Sequence, residues 1–380
     1  MGLEQLAARF PNGVLREKHP FYMADAIQDI PGCLQACLSD ESLALIQNGL
    51  DRFSPHRIFA LGCGTSYNAC QAAAYACQSM LGIPSVALDA YDFLLDTPPG
   101  VDSSALVISI SQSGQSLTTC LAQEKARQQG AATVCQTGKP GSRLTAGADL
   151  SLIDPYLLEI PLGKTRSYLS SALQAMLVGV MTAAPARRVE FIQDAKAMVD
   201  QIRASMTSWE KSGQTIAAEW AGRTTHYVMT GFGIQLANAH EIALKLIEVI
   251  SEGATGFGLE EFTHGVHGCF RQDLGVILFH TDARALERAV RVANGVVMSE
   301  ASIVVITDQP EAGWPEKARL IELPRLGNAQ QLGLFPAAAA AHHLLYSLAM
   351  AKGLNPDVNS QNTHPELGDI YRYFFPPGSH

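Results

Sequence analysis

The sequence carries little charge, few aromatic residues and no concentration of basic residues. Charged residues make up 17% of the 380 positions, aromatic residues make up 7%, and the formal net charge is −9. Without a Lys/Arg run, neither nucleic acid nor an anionic membrane is expected as a partner. An anionic ligand must therefore be held by a local arrangement of donors. The 47% of hydrophobic residues predict a compact body with large cores.

Cysteine pairs of the metal-binding or redox kind are also missing. The eight cysteines are scattered, mostly within apolar runs, and no CxxC motif occurs. This pattern favours buried free thiols in a reducing compartment, with neither a metal nor a cofactor. The opening residues MGLEQLAARFPNG lack the apolar centre of a secretory signal, and the Ala-rich run Pro336–Ala341 is too short to span a membrane. We expect a cytoplasmic protein.

Short apolar strands alternate with helical patterns, and the alternation occurs twice. The offset from the first to the second predicted strand is 49 residues in both halves, from Gly62 to Ser111 and from Gly231 to His280. A βαβ unit repeated at one offset predicts an α/β chain of two tandem domains, each with a mostly parallel, doubly wound sheet. The predicted strands are Arg57–Gly62, Ala105–Ser109, Ala132–Cys135, Leu150–Ile153, Tyr227–Gly231, Gly275–His280 and Ile303–Thr307.

The length fits two domains of ordinary size joined by further helices. We predict a helical segment over residues 1–45, a first domain over 46–188, a helical linker over 189–212, a second domain over 213–353 and a loop-rich tail over 354–380. A helix from about Phe335 to Lys352 is expected to end at Gly353, which is a plausible C-cap.

Two loops rich in hydroxyl groups follow the first two predicted strands. They are Gly64-Thr65-Ser66 and Ser111-Gln112-Ser113-Gly114-Gln115-Ser116. One interpretation is that these hydroxyls merely cap the helices that follow, because Ser and Thr favour the N-cap position. Four serines on two adjacent strand ends instead favour an anion site, where helix N-termini and hydroxyls cradle a phosphate. The matching strand end in the second half reads His280-Thr281-Asp282, so only the first half is expected to bind phosphate.

A polar stripe runs along an otherwise apolar helix predicted at His240–Glu252. Its members are Glu241, Lys245, Glu248 and Glu252. The stripe is either a narrow solvated face held by Glu–Lys pairing or the wall of a cleft. In a cleft, a partly desolvated glutamate with a raised pKa can carry a proton between two carbons.

The motifs LGCGTSYNA and SISQSGQS resemble the SIS (sugar isomerase) domain, and nearly the whole chain resembles the isomerase half of glucosamine-6-phosphate synthases. The resemblance implies that hydroxyls of the two loops, with the altered loop after the fourth strand, bind a sugar phosphate. Matched by motif, the implied binding residues are Gly64, Thr65, Ser66, Ser111, Gln112, Ser113, Ser116, Leu162 and Thr165.

The same resemblance assigns catalytic candidates. ALKLIE is similar to the family motif whose final glutamate is the base for 1,2-enolisation, which gives Glu248, with Lys245 as a further candidate. The segment around His264 resembles the motif whose histidine opens the sugar ring. His364 falls where the synthases carry a tail lysine, so a Schiff-base lysine is expected to be missing at that position; Lys245 and Lys352 remain open for that role.

The resemblance implies an isomerase, a deaminase or a deglycase acting on a sugar 6-phosphate. Glutamine-dependent amination is not expected, since nothing resembles the glutaminase half. It also implies a homodimer in which His264 serves the partner's site, and the Ala-rich helix Pro336–Met350 is expected to offer surface for association. The rival hypothesis is a non-catalytic phosphosugar sensor, which the retention of both Glu248 and His264 disfavours.

Overall fold

A computed structural model describes residues 14–51, 53–326, 330–358, 370 and 373–375. Two five-stranded sheets follow one another along the chain, and every pairing in them is parallel. The predicted α/β class is confirmed. The strands are β1 (Arg57–Gly62), β2 (Ser85–Asp89), β3 (Ala105–Ile110), β4 (Ala132–Thr137), β5 (Leu150–Ile153), β6 (His226–Gly231), β7 (Gly253–Gly258), β8 (Leu274–His280), β9 (Ser302–Thr307) and β10 (Arg319–Glu322).

Helices cover both sheets and join them. They are α1 (Tyr22–Gln28), α2 (Ile30–Cys37), α3 (Asp40–Leu50), α4 (Thr65–Leu81), α5 (Ala90–Leu95), α6 (Leu117–Gln128), α7 (Arg143–Ala146), α8 (Arg166–Met181), α9 (Pro185–Trp220), α10 (Gln235–Ile250), α11 (Leu259–Phe262), α12 (Leu286–Val297) and α13 (Leu334–Ala351). Short 3₁₀ turns lie at Val266–Cys269, Ala283–Ala285 and Gln330–Gly333.

The two sheets have the same strand order, which confirms the repeat. The first runs β2-β1-β3-β4-β5 and the second β10-β9-β8-β6-β7, which is the same order read from the opposite edge. The strands offset by 49 residues are neighbours in both sheets, but an edge strand, β2 or β7, lies between them in the sequence. The sequence prediction missed both edge strands. β7 reads GATGFG, and glycine is rare in strands; β2 is short and only partly buried.

The helix predicted as a linker is longer than expected and belongs to the core. α9 spans 36 residues from Pro185 at its N-terminus to Trp220. Its buried face includes Met198 and Trp209, and the indole of Trp209 donates a hydrogen bond to the carbonyl oxygen of Glu322 at 2.8 Å. One continuous hydrophobic core contains side chains from this helix and from both sheets.

α13 is buried along nearly its whole length against α9 and α10. It ends as predicted, with Gly353 in the left-handed region at φ +71°. The expectation of a free association surface on this helix is wrong, because its alanines are covered within the chain.

Within the described residues, Gln330–Ala351 is long and apolar enough to cross a membrane by length and composition, contrary to the expectation from Pro336–Ala341. However, 89% of its most apolar window is buried inside the protein.

α10 is displaced towards the N-terminus relative to its prediction. It ends at Ile250, and Ser251 follows in the left-handed region at φ +64°. Glu252 therefore leaves the polar stripe and accepts a hydrogen bond from Lys352 at 2.8 Å.

Six of the eight cysteines are buried as expected, whereas Cys63 and Cys269 are exposed.

Candidate functional site

The hydroxyl-rich loops of the first half converge on one cavity of about 610 Å³. It lies where β1 and β3 end and α4 and α6 begin, at the carboxyl edge of the first sheet. Ligands of open parallel sheets gather at this edge. The lining residues are Cys63, Ser66, Ile110, Ser111, Gln112, Ser113, Gln115, Ser116, Thr119, Leu158, Glu159, Ile160 and Lys164.

The hydroxyls in this cavity do not cap the helices. In the described structure, neither α4 nor α6 receives a side-chain hydrogen bond from its N-cap residue, which is Gly64 for α4 and Ser116 for α6. No N-cap side chain thus occupies the first-turn donors of these helices, although the Ser66 N–H donates to the Cys63 carbonyl oxygen at 3.2 Å. The capping interpretation is therefore wrong for these helices, and an anion can accept from several hydroxyl and backbone donors at once.

Gly114 shapes the loop between β3 and α6. Its φ is +62°, and a Cβ atom there would lie 2.1 Å from the hydroxyl oxygen of Ser142 and 2.7 Å from that of Thr137. Only glycine combines this backbone conformation with so close an approach. The loop is thereby held tight: the Gly114 N–H donates to the Ser111 carbonyl at 2.9 Å, and the Gln115 N–H donates to the Ser113 hydroxyl at 3.2 Å.

The cavity contains one cation that the sequence reasoning did not assign. Lys164 donates through Nζ to the carbonyl oxygens of Glu159 and Pro161, at 2.8 and 2.7 Å. Beside it, the buried carboxylate of Glu159 accepts from the backbone N–H and hydroxyl of both Thr165 and Ser167 at 2.6–2.9 Å. Burial opposes ionisation, yet Lys164 and Arg166 with these hydrogen bonds hold the pKa of Glu159 below its ordinary value.

Four of the predicted binding residues do not line this cavity in the described part of the chain. Gly64 serves as the N-cap of α4, and the Thr65 hydroxyl donates to Glu241 at 3.1 Å. Thr165 is fully buried and its hydroxyl donates to Glu159, while Leu162 packs against the buried Val358. Sequence reasoning could not foresee the place of Thr165, because the carboxylate that accepts from the N-terminal N–H groups of α8 is the buried Glu159.

The equivalent place in the second half has almost no room. Thr281 and Asp282 follow β8, but the cavity there measures only about 10 Å³. The Asp282 carboxylate is paired with Arg284, and the Thr281 hydroxyl accepts from Gln235 at 2.8 Å. This geometry agrees with an anion site in the first half only.

The polar stripe of α10 forms a chain of charges from the core to the surface. Glu241 and Lys245 are fully buried, while the Glu248 side chain is 31% exposed. The Lys245 ammonium forms a short ion pair with Glu248 and lies 3.6 Å from Glu241. Asn68 and Thr65 donate to Glu241 from α4, at 2.8 and 3.1 Å. The stripe is thus neither a solvated face nor a simple cleft wall, since two of its members lie in the interior.

Burial and ion pairing shift the pKa values of Lys245 and Glu241 in opposite directions. Burial would lower the pKa of Lys245, but Glu248 and Glu241 hold that pKa above its ordinary value. The ammonium therefore stays charged at neutral pH. Burial raises the pKa of Glu241, against the opposing pull of Lys245 and Asn68.

α10 touches the loops that border the cavity. A Cβ atom on Gly163 would lie 2.7 Å from Val249, so the loop backbone rests on the residue next to Glu248. A Cβ atom on Gly64 would lie 3.8 Å from Leu244. The second half thus brings its charged helix to the hydroxyl-rich loops of the first, although Glu248 itself is not among the described lining residues.

Comparison with known proteins identifies the first half. The model of the SIS domain family matches residues 53–184, which contain both hydroxyl-rich loops. The chain contains a SIS domain. Since the second sheet repeats the strand order of this SIS domain, the predicted tandem architecture is confirmed as well.

The relatives of this chain extend the likeness over most of its length. It is 30% identical to a glutamine–fructose-6-phosphate aminotransferase of Corynebacterium glutamicum over 88% of this chain and 56% of that protein. The C-terminal domain of a glucosamine-fructose-6-phosphate aminotransferase from Francisella tularensis superposes with a TM-score of 0.80 at 18% identity, covering 91% and 99% of the two chains. A tagatose-6-phosphate ketose/aldose isomerase from Escherichia coli gives 0.75 at 21% identity, covering 90% and 96%. The chain spans about half the length of the curated relatives it matches.

The predicted catalytic residue His264 does not line this cavity. Its side chain is 71% exposed, and its Nε2 lies 3.5 Å from a carboxylate oxygen of Glu260. His364 lies outside the described residues. Lys352 is engaged with Glu252 and the Thr224 carbonyl, away from the SIS cavity.

Sequence reasoning missed Glu159, Lys164 and Thr119 as members of the cavity. A signal for Lys164 was present, because it stands inside the altered loop after the fourth strand. Among the described residues, no group of three or more His, Cys, Asp or Glu side chains is placed to hold a metal ion.

Proposed function

We propose that this protein is a phosphosugar enzyme that catalyses 1,2-enolisation of a sugar, amino-sugar or fructosamine 6-phosphate in the cytoplasm. One observation carries the proposal: four serine hydroxyls from two strand ends line one cavity beside the uncapped N-termini of α4 and α6. Such a site holds a phosphate dianion through several charge-assisted hydrogen bonds.

The phosphate would dock among Ser66, Ser111, Ser113 and Ser116, with Lys164 adding a positive charge at the same cavity. The sugar carbons then extend towards α10. Gln112 also lines the cavity, and its buried amide oxygen has no hydrogen-bond partner in the described structure, so a sugar hydroxyl that reached it would supply the missing hydrogen bond.

Glu248 is the proposed base. It removes the proton from one of C1 and C2 and returns it to the other, through an enol or enolamine. Lys245 holds the carboxylate in position, and its buried ammonium is suited to stabilise negative charge that develops on the sugar oxygen. His264 assists ring opening from the neighbouring subunit of a homodimer in this scheme.

Isomerase, deaminase and deglycase outcomes share this enolisation step. A thermal-shift screen of 6-phosphosugars and 6-phosphofructosamines, followed by product analysis of each hit, distinguishes them and tests the proposal. We expect stabilisation by at least one 6-phosphosugar and by none of its dephosphorylated counterparts. A stabilising phosphosugar that is returned unchanged, with no solvent deuterium at C1 or C2, would instead identify a sensor.

Ser113→Ala is expected to weaken 6-phosphosugar binding about tenfold, which corresponds to losing one charge-assisted hydrogen bond of about 1.5 kcal/mol. Ser113 is exposed in the cavity, so the fold should tolerate the change. Thr281→Ala is the matched control, because Thr281 follows β8 in the second sheet as Ser111 follows β3 in the first. Calorimetric titration should find that Thr281→Ala binds the 6-phosphosugar with unchanged affinity. Equally weakened binding in both variants would contradict a phosphate site in the first half only.

Mixing two inactive variants tests the proposed sharing of the site between subunits. Glu248→Gln and His264→Ala are each expected to be inactive alone. Random reassortment then gives hybrid dimers with one intact site, which restores up to about a quarter of the wild-type activity. Native mass spectrometry should verify subunit exchange. If hybrids form and no activity returns, His264 does not serve the partner's site.

A further inference from the structure

A second cavity, of about 760 Å³, lies between α1, α9 and α13. It shares no described lining residue with the phosphosugar cavity and is the larger of the two. Its walls are mainly apolar, and a pocket of this size with apolar walls and a few fixed polar groups is typical of small-molecule sites. The apolar wall consists of Pro20, Ala24, Ile27, Ala218, Met350 and Ala351.

One buried polar side chain in this cavity lacks a partner. His343 is 5% exposed, and its Nε2 makes no hydrogen bond in the described structure. Burial lowers the pKa of His343 to about 4, so the imidazole is neutral at pH 7. Buried polar atoms are nearly always satisfied in native proteins, and a ligand group in the cavity would supply the missing hydrogen bond.

A second polar group on α13, the Tyr346 hydroxyl, is already held in place. The Tyr346 hydroxyl lies 2.7 Å from Nδ1 of His19 and accepts from the Phe21 backbone N–H at 3.2 Å. These bonds fix α13 to the chain just before α1. The polar groups that a ligand meets are therefore held in place before it binds, which lowers the entropic cost of binding.

The charge of the cavity selects against anions. Its two carboxylates are Asp25, which is paired with Arg16 at 2.7 Å, and Glu210. Within the described residues, the recorded partner of Glu210 is the Gln214 amide at 3.4 Å, and no ion pair neutralises it. A second sugar phosphate would meet repulsion at this place, whereas a protonated amine would be attracted.

We propose that this cavity is a second ligand site, which takes a small organic amine with an apolar body. The ammonium lies against Glu210, the body lies on the apolar wall, and a polar group of the ligand can reach His343. The site is independent of the phosphosugar cavity and of the function proposed for it.

Tryptamine is a suitable probe, with indole-3-propionate as the anion of similar size. Saturation-transfer NMR and calorimetry on the full chain should show saturable binding of tryptamine, at least about fivefold tighter than that of the anion. Binding should also shift the ring resonances of His343, assigned with a His343→Gln variant. Equal affinity for both probes, or no saturable binding of tryptamine, overturns the proposal.

Three variants locate the site. Ala218→Trp places a bulky ring at the cavity and should abolish tryptamine binding, whereas Thr215→Trp, on an exposed position of α9 outside the cavity, should leave it unchanged. Glu210→Gln should weaken the binding of tryptamine about fivefold, and the binding of indole-3-propionate should not become weaker. All three variants should bind 6-phosphosugars normally if the proposed function holds. Tryptamine binding that survives Ala218→Trp places the amine elsewhere and contradicts the proposal.

Discussion

Glu248→Gln is expected to slow exchange of the C1/C2 hydrogen with solvent by about 10²–10⁴-fold, the range that general base catalysis contributes. The amide has the same shape and can still accept a hydrogen bond from Lys245, but it cannot take up a proton. Sugar-phosphate affinity should remain close to wild type, because the hydroxyls that line the cavity lie on other elements. Deuterium incorporation followed by NMR measures the effect.

Glu252→Gln is the matched control for this experiment. Glu252 belonged to the same stripe in the sequence, but it lies beyond the end of α10 and pairs with Lys352. The Glu252→Gln substitution should therefore leave the rate of C1/C2 hydrogen exchange unchanged. Wild-type exchange in Glu248→Gln would remove Glu248 from the mechanism, and equal loss in both variants would indicate a structural effect instead.

Lys245→Met is expected to lower the free energy of unfolding by about 3–5 kcal/mol at neutral pH, because it leaves Glu241 buried without a countercharge. The loss should shrink as the pH falls towards 4.5. Burial already raises the pKa of Glu241 in the folded protein, and without Lys245 that pKa rises further. A raised folded-state pKa gives stability that is present at low pH and lost as the pH rises.

The double variant Glu241→Gln/Lys245→Met separates this electrostatic effect from loss of packing. It removes both buried charges and keeps similar volumes, so most of the lost stability should return. Urea unfolding at pH 5 and pH 7.5 measures all three proteins. If the double variant is as unstable as Lys245→Met at both pH values, the cost arises from packing and not from an unpaired Glu241.

Much of the fold could be predicted from the sequence because the central strands are buried on both faces. Such strands appear as short apolar runs, and β1, β3, β6, β8 and β9 were found for this reason. The edge strands β2 and β7 were not found, since an edge strand pairs on one side and need not be apolar. The edge strand β5 was found, because it is a short apolar run. The full length of α9 was also not predicted, because its buried residues form a single stripe along a helix that is otherwise mostly polar.

The sequence by itself determined the hydroxyl-rich loops and their place after two strands of a parallel sheet, since both follow from local patterns. Only the tertiary structure decided which of those groups meet. It turned Thr65 towards Glu241 and Thr165 towards Glu159, and it brought Lys164 to the cavity. Buried carboxylates must be satisfied by whatever donors the fold places beside them, and those donors come from positions that are distant in sequence.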